Sequence, residues 1–417
     1  MSGVTDNSSS THDQVTVSRE VDAPVATPFW RPKTVGINYV GIPLVIYAAT
    51  RVVQLLILTW MIPSGGSSLR THLLSWDAGW FLNVAQDGYP HGYTLDASGH
   101  VTGNGLAFFP LYPWLIRGGH AFGLSYGTSA LAISWIAGAV AAVLLFALAR
   151  NLTAAGRFGD AARKTARATG YALVVLFCAQ PMSLVESMGY TESLFVALVT
   201  GALLALHRRA WVATGILTVA ACLTRPTGAA LAVAVAVAAL MRVIDRDTAM
   251  RERVTAVIIG LASLATVPAY ILWVGLRVGD LRAWFTIQTA GWGSTFDFGR
   301  STWSFIVSSV HSNDGWVALS VVFIVLAATV ALILALLGPG WLPLRVYGLI
   351  AFVLVVGESG FYHSKPRLLV PVLLLFVPAA LAAGRARPHR AALWLSAYAL
   401  FGLWYGAYMV TVWQYAI

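Results

Sequence analysis

Charge is what this sequence has least of. Only 11% of its 417 residues are Asp, Glu, Lys or Arg, while 58% are hydrophobic. A soluble globular chain carries roughly twice that charged fraction, so the shortage excludes a soluble protein and points to an integral membrane protein. Cysteine is nearly absent too. Cys178 and Cys222 both lie in apolar stretches, which argues against a disulfide framework and for small buried hydrophobes. No P-loop is present, so a nucleotide-driven pump is not expected. The nine histidines are scattered without a His-x-x-x-His pair, and nothing calls for a metal or another cofactor. No internal repeat at the level of motif supports an inverted-repeat transporter. Residues 1–35 are polar, with no apolar run at their start, and read as a disordered cytoplasmic tail rather than a cleavable signal peptide.

What the sequence does have is long apolar runs. A bilayer core of about 30 Å needs roughly 20 apolar helical residues. The runs predict eleven helices near 39–62, 123–149, 169–187, 190–206, 211–223, 228–243, 254–278, 315–337, 343–362, 368–384 and 391–416. The expected fold is thus an all-α polytopic membrane protein, with residues 36–417 as one domain. The 27 Lys and Arg outnumber the 17 Asp and Glu. They sit in short clusters between apolar runs, which is the pattern of topology signals and not of a nucleic-acid partner. With the N-terminus inside, the clusters at Arg157 to Arg167, Arg208-Arg209, Arg242 to Arg253, Arg345 and Arg385 to Arg390 all fall inside. Long, sparsely basic loops, 63–122 and 279–314, fall outside.

Residues 211–243 are apolar except for Thr224-Arg225-Pro226-Thr227-Gly228. One helix of that length would reach about 50 Å, so two short arms meeting at this break are expected. The break is either sunk into a protein-lined cavity at membrane depth or an ordinary outer loop.

Nine acids fall outside or near the outer face: Asp77, Asp87, Asp96, Glu186, Glu192, Asp280, Asp297, Asp314 and Glu358. Asp77 stands between Trp76 and Trp80 in a run with helical spacing from Thr71 to Ala85 that ends near Gly88. Tryptophans favour headgroup depth. A carboxylate beside indole rings is partly desolvated and inclined to take up a proton, as a general base must; a plain surface aspartate is the alternative. Phe108-Phe109-Pro110-Leu111-Tyr112-Pro113 is too often broken by proline for a spanning helix and suits an interfacial element. Glu192 opens a span from the outer side, as a helix-dipole partner or a substrate contact. Among the cations, Arg51 falls near the middle of the first span, where charge is costly and normally paired or functional. Arg225 stands at the Pro-Gly break. His363, Lys365 and Arg367 crowd an outer mouth, where the two cations suit a phosphate clamp or an interfacial anchor.

These blocks resemble the PIG-V family, the second mannosyltransferase of GPI-anchor synthesis and its bacterial relatives. Trp76-Asp77-Ala78-Gly79-Trp80-Phe81, Asp87-Gly88-Tyr89 and the Phe108 to Pro113 run are similar to that family's first outer loop. Tyr190 to Phe195, the Arg225 break and Lys365-Pro366-Arg367 follow in the same order. The likeness covers roughly residues 40–375. It implies the GT-C glycosyltransferase fold, an outer-face active site and an inverting transfer of mannose from a lipid-phosphate donor. Asp77 is then the expected base. The candidate substrate contacts are Trp76, Trp80, Asp87, Tyr89, Glu192, Arg225, His363, Lys365 and Arg367. High Ala and Arg content suits a GC-rich bacterium. The expected partners are therefore a polyprenyl-phosphate-mannose donor and a glycolipid or glycan acceptor in the bacterial plasma membrane. A GT-C enzyme using another lipid-phosphate sugar, or a flippase for lipid-linked sugars, is the competing reading.

Overall fold

The computed structural model describes residues 37–312, 315–413 and 415. The expected cytoplasmic tail and Asp314 lie outside the described residues. Helix α1 (Ile37–Met61) leads into α2 (Leu69–Leu73), α3 (Asp77–Asp87), a hairpin of β1 (Thr94–Leu95) antiparallel to β2 (Val101–Thr102), and α4 (Leu111–Ala121). Then come α5 (Tyr126–Ala154), α6 (Asp160–Arg163), α7 (Ala166–Cys178), α8 (Glu192–His207), α9 (Trp211–Cys222), α10 (Gly228–Ile244) and α11 (Met250–Val278). A second irregular stretch carries α12 (Ala283–Trp292) and α13 (Arg300–His311). The chain finishes with α14 (Gly315–Leu337), α15 (Leu342–Gly357), α16 (Lys365–Leu368), α17 (Val377–Arg385) and α18 (Pro388–Thr411).

The protein is an all-α membrane protein, but its helices are of two kinds. Among the described residues α1, α5, α11, α14 and α18 are long and apolar enough to cross a membrane. Tyr362–Leu368 and Leu373–Arg385 make a sixth span only as a pair bent by 75°. Helices α7, α8, α9, α10 and α15 are apolar but of 10–17 residues. A 12-residue helix rises about 18 Å, well short of a 30 Å core. Eleven full-length spans are therefore not what the helix lengths provide.

Proline and glycine explain the early stops. Helix α7 ends at Cys178 rather than 187 because Pro181 follows, and the residue before a proline is pushed out of the helical region. Helix α15 ends at Gly357, before Gly360 at φ 101°. Pro371 sits in the bend of the broken span, where its missing N–H interrupts the ladder. The interval 211–243 does fold as two arms, parted at 223–227 around Pro226. The expected helix over 71–85 is also two pieces, α2 and α3.

The basic loops gather at one end of the bundle. Trp341 meets His207 edge-on at 5.5 Å, Pro339 lies against Gly159, and Trp211 donates to Glu252 at 3.1 Å. The irregular segments 62–76, 179–191, 223–227 and 358–364 sit at the other ends of the same helices. A small second core packs the loop before α4 against α11 and α12. Leu106 and Phe109 pack with Tyr270 of α11 and Ile287 of α12, and the Tyr270 hydroxyl donates to the carbonyls of Leu106 and Phe108 at 3.1 and 2.7 Å. Gly103, just after the hairpin, touches Gly291 of α12 backbone to backbone, and a Cβ on Gly291 would sit 2.7 Å from the Gly103 Cα. Gly291→Val is expected to cost about 1–3 kcal/mol by forcing these backbones apart. An unchanged thermal unfolding midpoint would contradict so close an approach.

Candidate active site

Asp77 owes its position to a break and not to a continuous helix. Trp76 links α2 to α3 at φ 52°, ψ −116°, a conformation a non-glycine residue rarely adopts and which costs about 1–3 kcal/mol. The neighbours hold it in place. The Gly189 N–H donates to the Leu73 carbonyl at 2.9 Å, and the Tyr190 hydroxyl to the Ser75 carbonyl at 3.3 Å. The turn puts Asp77 in the first turn of α3, where the helix dipole favours negative charge.

The partner of Asp77 is a guanidinium. Arg367 Nη1 lies 2.8 Å from Asp77 Oδ2, while Arg367 Nε lies 3.4 Å from Glu192 Oε1. The same Glu192 oxygen takes Arg225 Nη1 at 2.7 Å, and that nitrogen also donates to the Thr191 hydroxyl at 3.0 Å. The ring of Tyr190 carries the Arg367 guanidinium at 5.1 Å, a cation–π contact. Asp77, Arg367, Glu192 and Arg225 thus form a chain of alternating charge. Glu192 is sealed at 1% exposure, whereas Asp77 keeps 20% of its side chain open. Lys365 is held differently. Its Nζ donates to the carbonyls of Val355 (3.0 Å) and Glu358 (2.7 Å), with no carboxylate within 4 Å among the described residues.

This array lies in a cavity of about 430 Å³. Asp77, Glu192, Arg225, Lys365, Arg367 and Glu358 line it, with aromatic walls from Phe81, Phe108, Trp284, Trp292, Phe296 and Phe361. The Arg225 break is therefore part of a protein-lined cavity. Four of the other acids expected on the outer side are engaged elsewhere. Ser301 donates to Asp297, and Tyr93 to Asp280 at 2.6 Å; these bonds hold both carboxyls below the usual range and make them poor bases. Asp96 accepts the N–H groups of Ser98 and His100 within a turn. Glu186 is buried 3.8 Å from Arg51.

Residues 58–269, just over half of the chain, match the family model described as Mannosyltransferase (PIG-V). The chain belongs to the PIG-V mannosyltransferase family. No curated protein matches it. The family match includes Asp77, Glu192 and Arg225 and ends before His363, Lys365 and Arg367. Folding brings Lys365 and Arg367 of this mannosyltransferase to the matched residues all the same.

Other residues expected at the site pack around it instead. Trp76 is partly buried against the main core. Trp80 stacks on Phe108 at 6.1 Å and meets Trp292 at 5.8 Å, backing the wall that those two rings form. Asp87 is exposed at the far end of α3, about 15 Å along the helix from Asp77. Tyr89 donates to the Phe108 carbonyl at 2.8 Å, and its own carbonyl accepts from Arg277. His363 is buried among Phe361, Tyr362 and Trp413. The sequence reading missed Glu358 as a lining residue, along with Trp284, Gln288 and Trp292 of α12. The aromatic density of 284–298 was the available signal. Arg242 and Thr248 both donate to the carboxylate of Asp245, in the sequence's single Asp-x-Asp triplet. That triplet follows α10 among the basic loops, far from the cavity.

Proposed function

We propose that this chain is an inverting mannosyltransferase. It takes mannose from a polyprenyl-phosphate-mannose donor and passes it to a glycolipid or glycan hydroxyl on the outer face of a bacterial plasma membrane. One observation carries the reading: the partly open carboxylate of Asp77 faces the same aromatic-walled cavity as a lysine that, among the described residues, makes no ion pair within 4 Å. Asp77 accepts the proton of the acceptor hydroxyl as that oxygen attacks the anomeric carbon. The bond from that carbon to the phosphate oxygen breaks, and its electron pair leaves with the lipid phosphate. An oxocarbenium-like transition state gains from the nearby anion. Lys365 suits the phosphate best, because Arg367 and Arg225 are already engaged by carboxylates. Arg367 then orients Asp77 more than it clamps the donor. The gathering of basic loops at the opposite end supports placing the cavity outside.

The test is transfer by the purified protein in liposomes. Labelled mannose should pass from the polyprenyl phosphate, and not from a nucleotide sugar, to a lipid acceptor fraction with inverted configuration. Lys365→Met is expected to raise the donor KM by about tenfold to a hundredfold, as loss of a charged contact of about 1.5–3 kcal/mol implies. Accelerated lipid movement with no new glycosidic bond would sink the proposal in favour of a flippase.

A further inference from the structure

Arg51 lies deep in α1 and lines no part of the cavity, yet its contacts lead there. Between α7 and α8 the chain runs from Ala179 to Thr191 without an α-helix, and every residue from Met182 to Ser193 is buried. Part of this backbone bonds within the segment, around a 3-10 turn at Ser183–Glu186, and the buried carbonyls left over must find partners elsewhere in the protein. Side chains from neighbouring helices supply them. The Arg51 guanidinium donates to the carbonyls of Cys178 and Ser183. Gln54 donates to the Ser183 hydroxyl at 3.3 Å, the Trp135 indole to the Ser187 carbonyl at 2.9 Å, and the Ser134 hydroxyl to the Tyr190 carbonyl at 2.9 Å. Glu186, within the segment, places its carboxyl 3.8 Å from the Arg51 guanidinium. Helix α18 closes the other side so tightly that a Cβ on Gly402 would run into the Ala179 carbonyl. The segment ends on Tyr190, Thr191 and Glu192, the residues that hold Arg367 and Arg225.

We infer that Arg51 is a positioning residue. Its planar fork fastens the buried 179–191 segment to α1, and through that segment sets Glu192 and the Asp77–Arg367 pair. The kinetic part of this inference rests on the mannosyltransferase reading; the mechanical part does not. Arg51→Lys separates the two roles an arginine has here. Lysine keeps the charge opposite Glu186 but lacks the fork that reaches two carbonyls.

The experiment combines hydrogen exchange with steady-state kinetics on the full chain in detergent or liposomes. In Arg51→Lys, exchange is expected to quicken in peptides covering 179–193 and to stay unchanged in α5 and α11. The kcat for mannosyl transfer should fall about tenfold to a hundredfold, with donor KM nearly unchanged. Arg51→Met/Glu186→Gln, which removes the guanidinium and the carboxyl facing it together, should show the same local exchange and the same kcat loss. Wild-type exchange over 179–193 in both variants would overturn the inference, and so would full kcat in Arg51→Lys. A wild-type protein that transfers no mannose overturns the functional reading instead, and the exchange result alone then decides the role of Arg51.

Discussion

Asp77→Asn should remove mannosyl transfer and leave the fold in place. The amide oxygen of asparagine can still accept from Arg367, which sits 2.8 Å from the carboxylate in the native protein, so the Trp76 turn and the cation array keep their arrangement. What asparagine cannot do is take a proton from an acceptor hydroxyl. Loss of a general base typically costs 10²–10⁴-fold in rate, and a fall of about a thousandfold in kcat is expected with donor KM little changed. Asp77→Glu retains a carboxylate displaced by one methylene and should recover part of the rate. The comparison is made on purified variants with matched unfolding midpoints. Full activity in Asp77→Asn would remove Asp77 from the chemistry and leave Glu358, the other partly open carboxylate of the cavity, as the candidate base.

Glu192→Gln is expected to act on stability as strongly as Asp77→Asn acts on rate. Glu192 is 1% exposed and one of its oxygens receives both Arg225 and Arg367. Neutralising it leaves two largely buried guanidinium groups with only Asp77 between them. Breaking a buried ion pair from one side costs about 3–5 kcal/mol, because the remaining charge is stranded away from water. Urea or thermal unfolding of the detergent-solubilised variant measures this. Pairing Glu192→Gln with Arg225→Gln should restore part of the loss, since one stranded cation goes with its partner. Simple additivity of the two substitutions would mean that the Arg225–Glu192 contact carries little energy.

How far the site could be read in advance depended on how local each signal was. Asp77, Glu192 and Arg225 stand in compact blocks, each marked by neighbours: the tryptophans, the Gly-Tyr-Thr run, the Pro-Gly break. Trp76, Trp80, Asp87 and Tyr89 drew attention as neighbours of Asp77 in the blocks that resemble the family, and nearness in sequence does not mean a shared face. Asp87 is carried away by the rise of α3, and the Tyr89 hydroxyl is used to tie down the Phe108 carbonyl. His363 likewise neighbours Lys365 in sequence but is buried against Trp413. Glu358 and the α12 aromatics had no motif to mark them. The partner of Arg51 was equally illegible, since Glu186 comes from the segment that follows α7, which stops early at Cys178 ahead of Pro181.

Composition and apolar run length by themselves determined that this is a helical membrane protein, and the spacing of its basic clusters set the expected orientation. Motif order placed it within a mannosyltransferase family. These are properties of single segments in a bilayer, governed by the hydrophobic cost of exposing charge and backbone to lipid, so a linear reading captures them. Only the tertiary structure decided which residues share the cavity. Five apolar helices stop short, and the irregular stretches around them, among them 74–76, 179–191, 223–227 and 358–364, meet in the space that is left. Asp77 and Arg367, from opposite ends of the chain, become a 2.8 Å pair there. No local pattern encodes that pairing. It arises because buried charge must find a counter-charge, and the fold alone sets which one is within reach.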